Sequence, residues 1–424
     1  MHHRERLIFM SRSINNTSIN RRRYFMVFIC MFIQAVPYAI AQNIQPLFVP
    51  YVVEQFNFSL ASFSLIFTFG ALASSLFSPF LGKLFGKVNI KLIFIAGTVI
   101  SSVAFIAFGI ANTLPEFYIY AAIQQVGCLL FSSLGVPFII NNWFPAKGRG
   151  RALGIAFSGG ALGNVFLQQL TSYSLATQGP SASYVIFGIA SLLVSLPIVL
   201  LFIRLPKKSE VSSIKDDEQQ VTEIQDEGLS ATEVRKNKYF WIFSIGYFII
   251  AIAVSALSTQ YATYFTAELH FNALLVGTLG SVFAACCLIG NLSGGVLFDK
   301  LGTFKTMFIA MVLQVIAILA MLVAKSIPTV AFLFSIGYGL NVYSYMSAPA
   351  FMASDVFGKK EVSIKLGIIN LIFWGGYAAG SGLFGIIVDE VSFTAAWITL
   401  LGCTVIGYWL LLTGVKGYKN KSLS

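Results

Sequence analysis

Charge is what this chain has least of. Lysine, arginine, aspartate and glutamate make up 11% of its 424 residues, against about 25% in a soluble domain, which excludes water as its principal solvent. Acidic groups are the scarcer kind, 17 against 28 basic ones, and there are three histidines, of which His270 alone lies beyond the N-terminal tail. An enzyme within a membrane needs a nucleophile beside a base, or a metal cluster. One internal histidine, with no His-Glu-x-x-His and no Gly-x-Ser-x-Gly, supplies neither, so no catalytic residue, metal or cofactor is expected. The five cysteines, Cys30, Cys128, Cys286, Cys287 and Cys403, all fall in apolar runs, which excludes a disulfide framework.

What is present is apolar: 57% hydrophobic residues and a mean hydropathy of +0.79. An ionised side chain at a bilayer centre costs about 2.5–3.5 kcal/mol on insertion scales, so the gaps between charges map the crossings. Eleven uncharged runs of spanning length occur, from 24–53 to 391–415. The run 152–203 is too long for one crossing, because about 20 residues at ~1.5 Å each traverse a ~30 Å core, and Gln178-Gly179-Pro180 marks a turn inside it. Twelve transmembrane helices are therefore predicted, in an all-α membrane protein. The first run is of spanning length and follows 23 polar, basic residues, so it reads as an anchor rather than a cleaved leader.

Lysine and arginine crowd the N-terminus and every second loop, at Lys83/Lys87/Lys91, Lys147/Arg149/Arg151, the 204–238 stretch, Lys300/Lys305 and Lys359/Lys360/Lys365; Lys325 falls on the other side. The positive-inside rule then puts both termini in the cytoplasm, and a multi-pass location in the plasma membrane is expected. The net charge of +11 is orientation signal. Its dispersal over loops gives no nucleic-acid footprint. The predicted order is a tail (1–23), a six-helix bundle (24–203), a charged cytoplasmic linker (204–238), a second six-helix bundle (239–415) and a tail (416–424). The linker holds seven basic and eight acidic residues, too few apolar ones for a folded domain.

The two bundles repeat. Gly82, Lys87, Phe144, Gly154 and Gly163 are matched 213 residues later by Gly295, Lys300, Phe357, Gly367 and Gly376. Between predicted helices 8 and 9, Gly295-Val-Leu-Phe-Asp299-Lys300-Leu-Gly302 resembles the Gly-x-x-x-Asp-Arg/Lys-x-Gly loop of the major facilitator superfamily; its counterpart from Gly82 keeps the first glycine and Lys87. Asn142-Trp143-Phe144-Pro145-Ala-Lys147-Gly148, followed by Gly154, Gly159 and Gly163, resembles the oxalate/formate antiporter and monocarboxylate transporter branch. The resemblance implies two pseudo-symmetric six-helix halves and alternating access to a site between them.

It further implies that helices 2, 5, 8 and 11 form the seam between halves. Gly70/Ser74/Ser78, Gly159/Gly163, Gly290/Gly294 and Gly376/Gly380 place small residues there at helical spacing, which lets backbones approach in lipid. Gly82, Lys87, Arg149, Arg151, Gly295, Asp299, Lys300 and Gly302 are gating-loop candidates, with Asp299 expected to pair with Arg149 or Arg151, or with a helix N-terminus, as a cytoplasmic latch. Gly380-Ser-Gly382-Leu-Phe-Gly385 formally matches a dinucleotide fingerprint, but no strand precedes it and helix packing accounts for it.

Unpaired polar groups are expensive in lipid, so polar residues on one face of an apolar helix are the cavity candidates. These are Gln34, Tyr38, Gln42, Gln125, Asn164 and Gln168 in the first half. In the second they are Ser258, Tyr261, Tyr338, Asn341, Tyr345, Asn370, Trp374 and Tyr377. Lys365 is the candidate for attracting an anion, though no cation lies mid-span as carboxylate carriers of the resembling branch have. No acid lies mid-span either, so uniport, exchange and coupling to an ion through peripheral groups are all compatible with the sequence. The expected partners are a small-molecule solute and the bilayer, with the chain a monomer. Efflux of neutral or amphipathic compounds is the alternative within transport; a non-transporting membrane sensor is the alternative outside it.

Overall fold

The computed structural model describes residues 20–144, 148–206, 230–358 and 360–422. The tail before Asn20, Lys147 and most of the charged linker lie outside the described residues. Nine helices among the described residues are long and apolar enough to cross a membrane. Two of them, Arg149–Phe202 and Ala273–Ala324, are each broken by one non-helical glycine, Gly179 (φ 77°) and Gly302 (φ 72°). Glycine takes positive φ without the steric cost a Cβ would add, and the chain doubles back at each. The stretch 328–356 makes one further pass in short pieces. The passes are α1 (Asn20–Phe56), α2 (Leu60–Gly82), α3 (Ile90–Phe108), α4 (Leu114–Trp143), α5 (149–178) and α6 (180–202) in the first half. The second half holds α7 (Lys238–Glu268), α8 (273–301), α9 (303–324), α10 (328–356), α11 (Val362–Glu390) and α12 (Phe393–Tyr418).

Local chemistry sets the helix starts. Ser59, Asn89, Asn237 and Asn272 each accept a backbone N–H of the first turn they precede, at α2, α3, α7 and α8. The end of the linker is ordered too. A short helix, Ala231–Lys236, is capped reciprocally by Ser230 and Glu233, and the Ala231 N–H donates to the Glu361 carboxylate at 2.8 Å. The bonds from Ser230 hold the Glu233 carboxyl below its usual range. Val234 beneath it packs among Phe240, Phe357 and Tyr418, so this segment belongs with the second half.

Four passes are irregular. π-Helical turns occupy Gln34–Asn43 in α1, Leu129–Ser133 in α4, Tyr264–Glu268 in α7 and Met352–Val356 in α10. Pro37 removes a donor inside the α1 segment. The α4 break at Leu129–Leu134 lies 213 residues before the α10 break at Val342–Ser347, so the irregularity itself is duplicated. Such turns concentrate at working sites.

The apolar cores show how the halves relate. One cluster lies wholly in the first half, around Ile33, Phe94, Phe131 and Trp143, and another wholly in the second, around Phe243, Tyr247, Ile369 and Tyr408. A third joins Phe48, Phe63 and Tyr184 to Leu257, Tyr261, Leu279 and Trp397, at the end of the bundle remote from the chain termini. The halves therefore share a core at that distal end and keep separate cores at the terminal end. Lys325, the one basic residue on the distal side, pairs there with Glu268 at 2.8 Å.

The small-residue stripes correct one expectation. A Cβ on Gly159 or Gly163 would sit 1.9 or 1.8 Å from the carbonyls of Met31 and Ala35, and one on Gly376 or Gly380 would sit 2.3 Å from those of Phe248 and Ile252. Gly290 and Gly294 likewise meet α10, and Gly70 meets Gln125 of α4. All these glycines pack helices within a half. The offset of 213 that separates Gly163 from Gly376 also separates Ala35 from Phe248, so the contact is repeated with its residues. Replacing Gly163 by alanine is expected to lower the thermal midpoint of the purified protein, through overpacking worth about 1–3 kcal/mol. Gly154→Ala, where nothing lies within 4 Å, is expected to leave it unchanged.

Candidate solute path between the halves

The distal seal is built from close backbones and neutral hydrogen bonds. On one side α8 meets α5: Gly277 and Gly280 lie against Gln169 and Gln168, and Ser281 donates to the Val165 carbonyl at 2.6 Å. On the other α11 meets α2: Gly385 lies against Ala61, Gly382 against Leu65, and Thr68 donates to the Ala378 carbonyl. The seam glycines are thus on helices the resemblance names, but nearer their distal ends. They also explain the formal dinucleotide match, since Gly380 faces α7 while Gly382 and Gly385 face α2.

From between these seams α7 reaches both ways. Gln260 Nε2 donates to Ser64 of α2 at 2.7 Å and to Ser381 of α11 at 2.8 Å, and the Tyr261 hydroxyl donates to Gln168 of α5 at 3.0 Å. One ionised group joins the seal. The Asp389 carboxylate accepts from the backbone N–H groups of Leu60 (3.2 Å) and Ala61 (2.8 Å), at the start of α2. A carboxylate there satisfies orphan donors and faces the positive end of the helix dipole.

The terminal end is open. At Gly82, Gly150, Gly154, Gly295, Gly302 and Gly367 an added Cβ would meet nothing within 4 Å. Lys87, Arg151, Asp299 and Lys300 are exposed, and Arg149 Nε donates at 2.8 Å to the Phe144 carbonyl of its own loop. Asp299 makes no ion pair with the described residues, so the structure does not bring it to Arg149 or Arg151.

The cavity candidates divide into three groups. Gln34 is fully buried and exchanges hydrogen bonds with Ser132 of α4 (2.8 and 3.1 Å), Tyr338 is buried and donates to the Val254 carbonyl at 2.8 Å, and Asn341 donates to Gln314 of α9 at 3.0 Å. These hold helices together within one half. Asn164, Gln168 and Tyr261 lie under the distal seal, where Gln168 Nε2 donates to Asn164 (3.2 Å) and to the Asn43 carbonyl (3.1 Å).

The third group is half-buried at mid-length. Gln125 donates to Gln42 at 2.9 Å across α4 and α1; Ser258 and Tyr377 share a 3.0 Å hydrogen bond across α7 and α11. Tyr345 lies nearly parallel to Phe373, centroids 6.2 Å apart, and Trp374 meets Tyr377 edge-on at 5.3 Å. Tyr38 is half-buried in the π-helical stretch of α1. Asn370 makes no side-chain hydrogen bond with the described residues. Tyr38, Gln42, Gln125, Ser258, Tyr345, Asn370, Trp374 and Tyr377 therefore form the candidate path.

Lys365 is neither a snorkelling surface residue nor exposed to the path. It is 1% exposed, and its ammonium donates to the Phe357 and Gly358 carbonyls at the end of α10. Among the described residues no group of three or more His, Cys, Asp or Glu could hold a metal ion. Sequence reasoning missed Asp389 and the Gln260–Ser64–Ser381 knot. A glutamine inside an uncharged run was the available signal for the knot, whereas Asp389 and Leu60 are 329 residues apart and nothing local joins them.

Comparison with known proteins bears on the fold and the family. The family model described as Major Facilitator Superfamily matches residues 27–351 and 243–423. A phosphoglycerate transporter protein of Salmonella typhimurium is 23% identical over 402 residues, covering 88% of this chain and 84% of that one. An oxalate:formate antiporter of Oxalobacter formigenes is 22% identical over 363 residues, covering 84% and 82%. The crystal structure of a bacterial homologue of the human lysosomal transporter Spinster, inward-facing and unoccupied, superposes with a TM-score of 0.72 at 16% identity, covering 94% of this chain and 98% of that one. With a doubled bundle, a seal at one end, a polar path behind it and a family match over nearly its whole length, the chain belongs to the major facilitator superfamily.

Proposed function

We propose that the protein carries a small organic solute across the plasma membrane by alternating access, and that the structure is its inward-open state. The observation that supports this most is the contrast between the ends: a shared core and hydrogen-bonded seal distally, and separate cores at the terminal end. The positive-inside rule makes the terminal end cytoplasmic. The path is then open to the cytosol and shut outside.

The phosphoglycerate and oxalate:formate relatives carry anions by name. An organic anion here would meet no lysine or arginine at mid-length of any described pass, and Lys365 is engaged by carbonyls. The half-exposed Trp374 favours efflux of amphipathic neutral compounds as the second reading. Solute flux in proteoliposomes tests transport itself; a protein that binds a solute and moves none would be a sensor.

The gate has a charge at each end in this reading, Asp389 outside and Asp299 inside. Asp389→Asn keeps the shape and removes the charge from the α2 N-terminus. Such contacts are worth about 0.3–1 kcal/mol, so the external population should rise about two- to fivefold. The measurement is external labelling of Val276→Cys, buried in the shared distal cluster, by an impermeant maleimide, with the five native cysteines replaced. Asp299→Asn is expected to act oppositely, lowering that labelling and slowing turnover. Unchanged labelling and turnover in both variants would exclude these residues as latches.

A further inference from the structure

We propose that the solute is a neutral, planar heteroaromatic compound, with its ring against the second half and its hydrogen-bonding edge toward the first. The inference rests on the transport reading above and names its substrate class.

The two halves are copies in backbone and opposites in chemistry at three equivalent pairs of positions, each with one member on the path. At the 213-residue offset Gln125 corresponds to Tyr338, Ser132 to Tyr345 and Asn164 to Tyr377. Each time the first half has an amide or hydroxyl and the second a tyrosine. The tyrosines stand in an aromatic tier: Tyr345 is tilted 8° from Phe373, and Trp374, half exposed, meets Tyr377 at 67°. Ser258 fixes the Tyr377 hydroxyl at 3.0 Å, so this side presents ring faces with the one amide of Asn370 beside them.

The facing wall carries amide capacity that the protein does not use. A carboxamide has two N–H donors and two acceptor lone pairs. Gln125 gives one N–H to Gln42, while its oxygen receives only the Ser74 hydroxyl, at 3.4 Å; a Gln42 N–H goes to the Cys128 sulfur at 3.7 Å, a weak acceptor. Both amides are half-buried, so a solute edge can take the remaining donors and lone pairs. Glutamine amides pair two-pronged with heterocycle edges that present a donor beside an acceptor, and aromatic side chains stack on such rings whatever their substituents.

Charge is excluded from the solute by the same wall. Lys365 lies twelve residues from Tyr377, about 18 Å along α11. The acidic residues of the described passes sit near their ends: Asp355 is bound to Thr303, Asp389 to the start of α2 and Glu268 to Lys325. An anion would be desolvated with no cation to meet it. A cation would have ring faces and neutral amide oxygens but no carboxylate, which compensate only part of that loss.

The test uses the purified full-length protein with uracil, adenine and nicotinamide as planar neutral probes, against lactate, oxalate, choline and glucose. Binding is read by tryptophan fluorescence and thermal shift, and transport by counterflow in proteoliposomes. At least one planar probe is expected to bind and exchange, and the other four are expected to do neither. Trp374→Leu and Gln125→Leu should each weaken that probe by at least about tenfold. Trp374→Phe should retain binding, and the ligand-free thermal midpoint reports whether each variant is folded. If none of the planar probes binds, or if folded Trp374→Leu and Gln125→Leu variants bind as the parent does, the proposal is overturned. Flux of lactate or glucose in that case would still support a carrier. Binding of a planar probe without flux would keep the site and remove the transport reading.

Discussion

A hydrogen-bonding group inside a bilayer has no water to fall back on, and the arrangement of this protein follows from that. A buried polar side chain that finds another helix helps decide which helices are neighbours. Gln34 ties α1 to α4 through Ser132. Gln314 gathers α9, α10 and α12, since it receives Asn341 and Tyr408 and donates to Thr404. Lys365 obeys the same rule with a full charge, by covering the carbonyls that the end of α10 leaves open. The apolar outer faces keep the bundle out of water, and these bonds make its packing specific in lipid.

The contacts between the halves are of a different kind from those within them. Within a half, glycines admit a neighbouring backbone so closely that no side chain could be added, and such interfaces move as units. Between the halves the polar contacts are mostly single neutral hydrogen bonds, each worth about 0.5–1.5 kcal/mol net, together with one carboxylate on a helix start. A seam of that strength can be broken and remade, which alternating access requires of two states close in free energy. The irregular turns fall in α1, α4, α7 and α10, the helices that supply many of the path side chains.

Much of the fold was legible from residue order because lipid penalises charge so strongly. Uncharged runs located the crossings, Gly179 showed where the longest run doubles back, and the 213-residue offset announced the duplication. What could not be read was partnership. A small residue every fourth position says that some backbone comes close, not which one, and Gly159 and Gly163 proved to receive α1 rather than the other half. Asn341 likewise sits at a polar position on a path helix, but its side chain faces α9. The Gln42–Gln125 pair was easier to anticipate, because both amides recur among polar residues at helical spacing.

The shared apolar cluster at the distal end has a thermodynamic consequence of its own. Phe48, Phe63, Leu257, Tyr261 and Leu279 are dry in this state, and parting the halves there lets water reach their faces. Wetting apolar surface raises heat capacity, and the drive that keeps it dry weakens on cooling. The balance between the two access states is therefore curved in temperature, with cold weakening the hold of this distal cluster.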